Sequence, residues 1–268
     1  MQYLIVVDLE GVHGVVGEPF CTLSDCADYE KAIRAATLEV NTAIEALFDG
    51  GAEKVLVWDN HGKGANLDFE KIDARAVRVD TTGNASRFDF VLPHKIDHIL
   101  FFGYHAKEGT PRGVLAHTYS SVSIQYVKLN GVAVGELAVD SAICATHGIS
   151  PLFIAADDMA IAEMRDVCPD ITAVITKYGK GRNQADLRES ADVLAEIYKG
   201  VREAMVAKRA AFSYNFPVPS VLEVRYTRAE KAAAKYEAWR DKLPVRYGED
   251  THVLFFEIDT PKLIPKLL

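Results

Sequence analysis

Short apolar runs alternate with longer amphipathic stretches over roughly the first two thirds of the chain. The runs are rich in β-branched residues and closed by turn formers, and they predict strands at residues 3–7, 54–58, 98–102, 151–155 and 171–176. Between the first two, Tyr29, Ile33, Val40, Ile44 and Leu47 recur on one face of a helix; Ser24 or Asp25 can cap its start and Gly50-Gly51 ends it. A strand, a crossover helix and a second strand imply a parallel pair with a right-handed connection. Residues 122–129 and 132–134 flank Asn130-Gly131, a strong hairpin signal, because a type I′ turn puts both central residues at positive φ. Helices are expected at 136–144, from a cap at Asp157-Asp158 to about residue 167, and over the charged stretch 186–209.

Phe216-Pro217-Val218-Pro219 then breaks the pattern as a linker would, and residues 220–226, 229–239 and 253–258 form a short β-α-β unit. The whole predicts an α/β protein: a mostly parallel sheet with flanking helices, an inserted β-hairpin and a smaller C-terminal α+β domain. The expected division is a metal-binding catalytic α/β unit over residues 1–185, and a long helix with the small β-α-β unit over 186–268. The second unit has few polar groups suited to chemistry and reads as a lid, packing or assembly element.

With 268 residues, 49% of them hydrophobic, the chain can build a substantial core. Its net charge of -8 argues against a nucleic-acid partner, which needs a clustered basic surface. No apolar run reaches membrane-spanning length and no charged leader precedes the first strand, so a cytoplasmic protein without a membrane partner is expected. Cys21, Cys26, Cys144 and Cys168 lack paired metal or redox spacing and are read as reduced, structural thiols.

Four strand-like runs end in side chains able to hold a metal. Tyr3-Leu4-Ile5-Val6-Val7 leads to Asp8-Leu9-Glu10-Gly11, Val55-Leu56-Val57-Trp58 to Asp59-Asn60-His61-Gly62, and Ile99-Leu100-Phe101-Phe102 to Gly103-Tyr104-His105. The hairpin's second arm ends at Gly135-Glu136. If these strands are neighbours in one parallel sheet, Asp8, Glu10, His61 and His105 meet at the edge where open α/β sheets hold ligands, and the hairpin folds Glu136 over them. Three carboxylates and two imidazoles exceed the needs of one tetrahedral zinc; they suit two divalent ions about 3.5 to 4 Å apart with one carboxylate bridging. The mixed nitrogen and oxygen donors favour zinc, with manganese or cobalt possible.

His117 lies in the glycine- and proline-punctuated segment 109–117, a loop that would overhang such a site, where a non-ligand imidazole could act as general acid or base. His13 is a weaker candidate, and His94, His98, His147 and His252 are read as structural. Gly179-Lys180-Gly181-Arg182-Asn183 could hold an anion such as a substrate carboxylate; it lacks the features of a dinucleotide fingerprint and is read first as a solvated basic loop. No G-x-S-x-G elbow, P-loop or H-E-x-x-H motif occurs.

Val7-Asp8-Leu9-Glu10-Gly11, Asp59-Asn60-His61, Gly103-Tyr104-His105-Ala106, Ala116-His117, Val134-Gly135-Glu136-Leu137 and Ala156-Asp157-Asp158 together resemble the D-aminopeptidase family of metallopeptidases, in order and in spacing, over most of residues 1–185. The C-terminal part matches loosely, and His13 stands where relatives carry a small residue. The resemblance implies two zinc ions, with Asp8 bridging, Glu10 and His61 on one ion, and His105 and Glu136 on the other. It implies a catalytic role for His117, release of an N-terminal, often D-configured, residue from short peptides, and a homo-oligomer of pentameric rings stacked as a decamer. The ligand set alone also admits a two-metal amidohydrolase or phosphoesterase of other specificity, and a non-catalytic metal-holding module is the rival from outside the enzymes.

Overall fold

In the computed structural model, which describes residues 1–79 and 87–268, the chain runs through β1 (Gln2–Val7), α1 (Tyr29–Asp49), β2 (Lys54–Asp59), β3 (Val77–Arg78), β4 (His98–Phe102), β5 (Ile124–Leu129), β6 (Val132–Ala133) and α2 (Glu136–Thr146). There follow β7 (Ser150–Ala156), α3 (Asp158–Val167), β8 (Thr172–Ile175), β9 (Lys177–Gly181), β10 (Gln184–Leu187) and α4 (Ser190–Val206). The C-terminal elements are β11 (Ser220–Tyr226), α5 (Ala229–Trp239), β12 (Val245–Tyr247), β13 (Val253–Ile258) and α6 (Ile264–Leu267).

The central sheet has the order β3-β2-β1-β4-β7-β8 and is parallel throughout. Alternation along β1 shows how it is buried on both faces. Tyr3, Ile5 and Val7 pack with Ala36, Val40 and Leu47 of α1 and with Val193 and Ile197 of α4. Leu4 and Val6 face the other side, where Ile143 of α2, Met164 of α3 and the inner face of a second sheet complete the core. That second sheet, of order β12-β13-β11-β5-β6, is antiparallel. No helix among the described residues is long and apolar enough to cross a membrane.

The expected strands and the Asn130-Gly131 turn form, with φ of 49° and 82° at those two residues. Three details differ from the sequence reading. Ser24 and Asp25 lie in a separate 3₁₀ turn and do not cap α1, which starts after Asp28; the Asp28 carboxylate instead accepts the amides of Val16 and Gly17 at 3.0 Å each. The stretch read as helix from residue 186 begins as strand: β10 pairs antiparallel with β9, and α4 runs only from Ser190 to Val206. Gly179 and Lys180, read as loop, therefore belong to a strand. A fourth detail lies beyond the sequence reading: the inserted hairpin joins the C-terminal strands, β5 pairing with β11 across the register Leu222↔Leu129 to Tyr226↔Ile124.

The chain leaves β1 on one side for β2 and later takes up β4 on the other, so the connections diverge between β1 and β4 at their carboxyl ends. There the two backbones close up: the Asp8 amide donates to the Phe102 carbonyl at 2.8 Å and the Gly11 amide to the Gly103 carbonyl at 2.7 Å. A Cβ on Gly103 would lie 2.0 Å from the Asp8 carbonyl oxygen, and one on Gly11 2.0 Å from that of Tyr104. Gly103 also has φ of +67°, where side chains are strained. Gly103→Ala is expected to lower unfolding stability by about 3 kcal/mol or more, since clash and backbone strain add. Gly131→Ala, at φ +82° with nothing within 4 Å of the added carbon, should cost only about 1 kcal/mol. Urea unfolding of the two variants beside the parent checks the contrast.

Candidate metal centre

β1 ends at Val7, so Asp8 and Glu10 do not share a face by strand alternation; they sit on the turn that follows, bent by the close approach at Gly11. Three carbonyls of this turn are gripped from β8 and β9. Thr176 donates its hydroxyl to the Gly11 carbonyl at 2.5 Å, and the Lys177 ammonium donates to the carbonyls of Glu10 at 2.5 Å and Val12 at 2.7 Å. Lys177 is fully buried, and burial pushes its ammonium down to about 8. The carboxylates are thus carried on a backbone with little freedom to move.

The other candidate ligands arrive on three segments: His61 after β2, His105 after β4, and Glu136 at the first turn of α2. Asp8, Glu10, His61, His105 and Glu136 are all buried. Glu10 Oε1 lies 3.2 Å from His61 Nε2. His105 Nε2 lies 3.3 Å from Glu136 Oε1 and 3.6 Å from Asp8 Oδ2. His117 joins them from its loop: its ring stacks on His105 at 3.9 Å between centroids, and its Nε2 is 3.9 Å from Glu136 Oε1. Donor atoms of Asp8, Glu10 and His105 lie within 4.8 Å of one another, and so do those of His105, His117 and Glu136. His117 therefore sits close enough to be a ligand as well as a proton carrier.

The histidine tautomers bear on what this cluster can bind. His61 directs Nδ1 to Asn66 Oδ1 at 3.2 Å, His105 to the Ala106 carbonyl at 3.0 Å and His117 to the Leu115 carbonyl at 2.9 Å. Those acceptors keep a proton on Nδ1 and turn Nε2 toward the carboxylates as the atom free to ligate, the arrangement that metal-ligating histidines adopt. His105 Nε2 and Glu10 Oε2 are buried and make no hydrogen bond of good geometry among the described residues. Unsatisfied buried donor atoms beside three carboxylates fit a divalent cation.

Titration of the ion-free cluster reports the same demand for positive charge. Burial and the neighbouring Glu10 hold the Asp8 carboxyl well above the usual range. Burial also resists charge on His61, yet Glu10 overrides it and raises the imidazole to about 10. Likewise His105 is raised despite burial by its contact with Glu136, whose own carboxyl falls to about 2 although burial opposes it. His117 goes the other way, lowered by burial and then by His105.

Around the cluster lies a cavity of about 300 Å³, lined by Asp8, Glu10, His61, His117 and Glu136 and walled by Arg87, Tyr119 and Arg182. Part of this wall was not legible in the sequence. Arg87 donates to Asp140 through Nε at 2.6 Å and Nη2 at 2.8 Å, and Tyr104 donates its hydroxyl to the same carboxylate at 2.7 Å. The Tyr119 amide donates to Glu136 Oε1 at 2.8 Å. Asp140 had one sequence signal, a second carboxylate on a mostly apolar helix, four residues after Glu136; Arg87, Tyr119 and Lys177 had none.

His13 does not line the cavity. Its Nδ1 meets Glu39 Oε1 at 2.8 Å and its Nε2 meets Ser190 Oγ at 3.0 Å, which ties the turn after β1 to α1 and α4. His94, His98, His147 and His252 also lie outside it. All four cysteines are unpaired.

Comparison with known proteins gives concordant results. A family model described as D-aminopeptidase matches residues 1–240. A D-aminopeptidase of Bacillus subtilis (strain 168) is 31% identical over 179 residues, 66% of this chain and 64% of the relative, so the match spans less than two thirds of that relative's length. A solved structure, the zinc-dependent D-aminopeptidase DppA from Bacillus subtilis, described as a self-compartmentalizing protease, superposes with a TM-score of 0.86 at 24% identity, covering 100% of this chain and 95% of that one. At that identity the superposition speaks for the fold.

Against the effect of burial, Glu10 raises His61 to about 10, so a cation held through its Nε2 has to displace a proton. Zinc affinity is expected to rise with pH from 6 to 8, and binding should release about one or more protons per chain. Calorimetric zinc titrations in buffers of different ionisation enthalpy check this; a pH-independent affinity with no proton release is the opposing result.

Proposed function

The chain belongs to the D-aminopeptidase family, and from that membership we propose that it is a zinc-dependent aminopeptidase releasing the N-terminal, D-configured residue of short peptides, with two zinc ions per chain. The single observation that carries this reading is the convergence of three imidazole Nε2 atoms and three carboxylates in one buried cluster beside a cavity of about 300 Å³. Asp8 would be shared between the ions, Glu10 and His61 would hold one, and His105 and Glu136 the other. Supporting this split, Glu10 and His61 are already paired, and His105 lies between Glu136 and Asp8. Manganese or cobalt would also suit these donors.

Bound zinc supplies Lewis acidity, making water acidic enough to attack a carbonyl at neutral pH and polarising that carbonyl. The chain's own part is to exclude bulk water, orient the substrate and move a proton. His117 is suited to the last task. Its Nδ1 is fixed on the Leu115 carbonyl, its Nε2 faces the cavity, and its lowered basicity keeps it neutral, able to take a proton from the attacking water and pass it to the leaving amine. The water oxygen bonds first to the carbonyl carbon, the carbon–nitrogen bond then breaks, and the proton taken from the water at Nε2 is passed to the departing amine nitrogen.

The sheet and its helices build the site within one chain, and we place the protein in a homo-oligomer, pentameric or decameric as the family resemblance implies. A cytoplasmic setting accords with four unpaired cysteines.

His117→Ala is expected to retain its zinc and lose about 10²- to 10⁴-fold in kcat, the usual worth of a positioned acid–base. D-Ala and L-Ala dipeptides assayed side by side should show faster release from the D form. Full activity of the variant would remove His117 from the mechanism, and phosphate-ester turnover without amine release would replace the peptidase reading with a phosphoesterase.

A further inference from the structure

Resting on the peptidase reading, we propose that Arg182 forms a carboxylate subsite in the cavity, so that the substrates handled best are dipeptides with a free C-terminal α-carboxylate. Arg182 belongs to the basic segment after β8 that the mechanism leaves unused. It occupies the turn between β9 and β10, and this turn is fastened on the inner side. Its carbonyl accepts the Leu115 amide at 2.7 Å, and Asn183 Nδ2 donates to the Val16 carbonyl at 3.0 Å. The guanidinium itself donates through Nη1 to the carbonyl of Ala116, the residue before His117. A cation is thereby held against the segment that presents His117 to the cavity.

Charge distinguishes Arg182 from the other guanidinium on the wall. Arg87 is neutralised by two hydrogen bonds to the buried Asp140 and stacks over Trp58 at 4.9 Å. Among the described residues Arg182 has only Glu108 opposite it, at 3.9 Å, and its side chain is 45% exposed. Four of the five N–H donors of a guanidinium remain once one is given to a carbonyl, and the planar fork matches a carboxylate.

Length matches as well. One residue of extended chain spans at most about 3.6 Å, so in a dipeptide the terminal carboxylate lies a single residue beyond the bond being cut. Arg182 and His117 line the same cavity, so a carboxylate close to the bond being cut has a cation within the same space. Longer peptides would carry uncharged amide where Arg182 offers charge.

The test compares kcat and KM of the full-length zinc-loaded parent, Arg182→Gln and Arg182→Lys on an alanyl-alanine dipeptide, in the stereoisomer the parent cleaves faster, and on its C-terminal amide. Arg182→Gln should lower kcat/KM for the free acid by about 10- to 100-fold more than for the amide, mostly through KM. Arg182→Lys should restore part of the difference. Equal losses on acid and amide, or no loss on either, would show that Arg182 only braces the turn and would overturn the subsite. Cleavage of neither substrate by the parent overturns the peptidase reading and the subsite together.

Discussion

The close approach of two backbones at the carboxyl ends of β1 and β4 is the constraint on which the rest of the structure depends. Without side chains at Gly11 and Gly103, the turn after β1 can bond to the turn after β4 through the pairs Asp8–Phe102 and Gly11–Gly103. Asp8 and Glu10 then arrive beside His105, although 95 residues separate Glu10 from that histidine in sequence. Thr176 and Lys177 hold the same turn from the opposite side through its carbonyls. The result is a rigid ledge for acidic side chains, built from backbone hydrogen bonds that the sheet itself supplies.

Three buried carboxylates so close together are costly for a fold, because each desolvated charge repels the next. The ion-free protein answers with protons: burial and Glu10 push the Asp8 carboxyl up, and Glu10 and Glu136 push His61 and His105 up against the effect of burial. Concentrating perturbed groups in one cavity exchanges stability for function, a common signature of catalytic sites. In the proposed zinc-loaded state the metal would resolve the conflict by supplying the positive charge that the side chains otherwise borrow from solvent.

What could be read from the chain follows the range of the forces involved. Strands β1, β2, β4, β7 and β8 were legible because each is a local apolar run, and the Asn130-Gly131 turn because its φ demands are local too. The metal-capable residues stood out because each closes such a run. Helix α1 begins four residues or more after the expected caps, because Asp28 spends its carboxylate on Val16 and Gly17, a tertiary choice. Asp186 and Leu187 were read as the start of the charged helix, but pairing with β9 makes them strand. Arg87, Tyr119 and Lys177 matter through partners distant in sequence, so nothing local announced them. The fate of His13 is of the same kind: it bonds to Glu39 and Ser190 instead of entering the cavity.

The central claim is that two zinc ions share Asp8 at the divergence of β1 and β4. Crystals of the zinc-loaded protein, measured on both sides of the zinc absorption edge, test it directly. The account predicts two anomalous peaks per chain, one between Asp8, Glu10 and His61 and the other between Asp8, His105 and Glu136. A single peak, or peaks elsewhere on the chain, would contradict it.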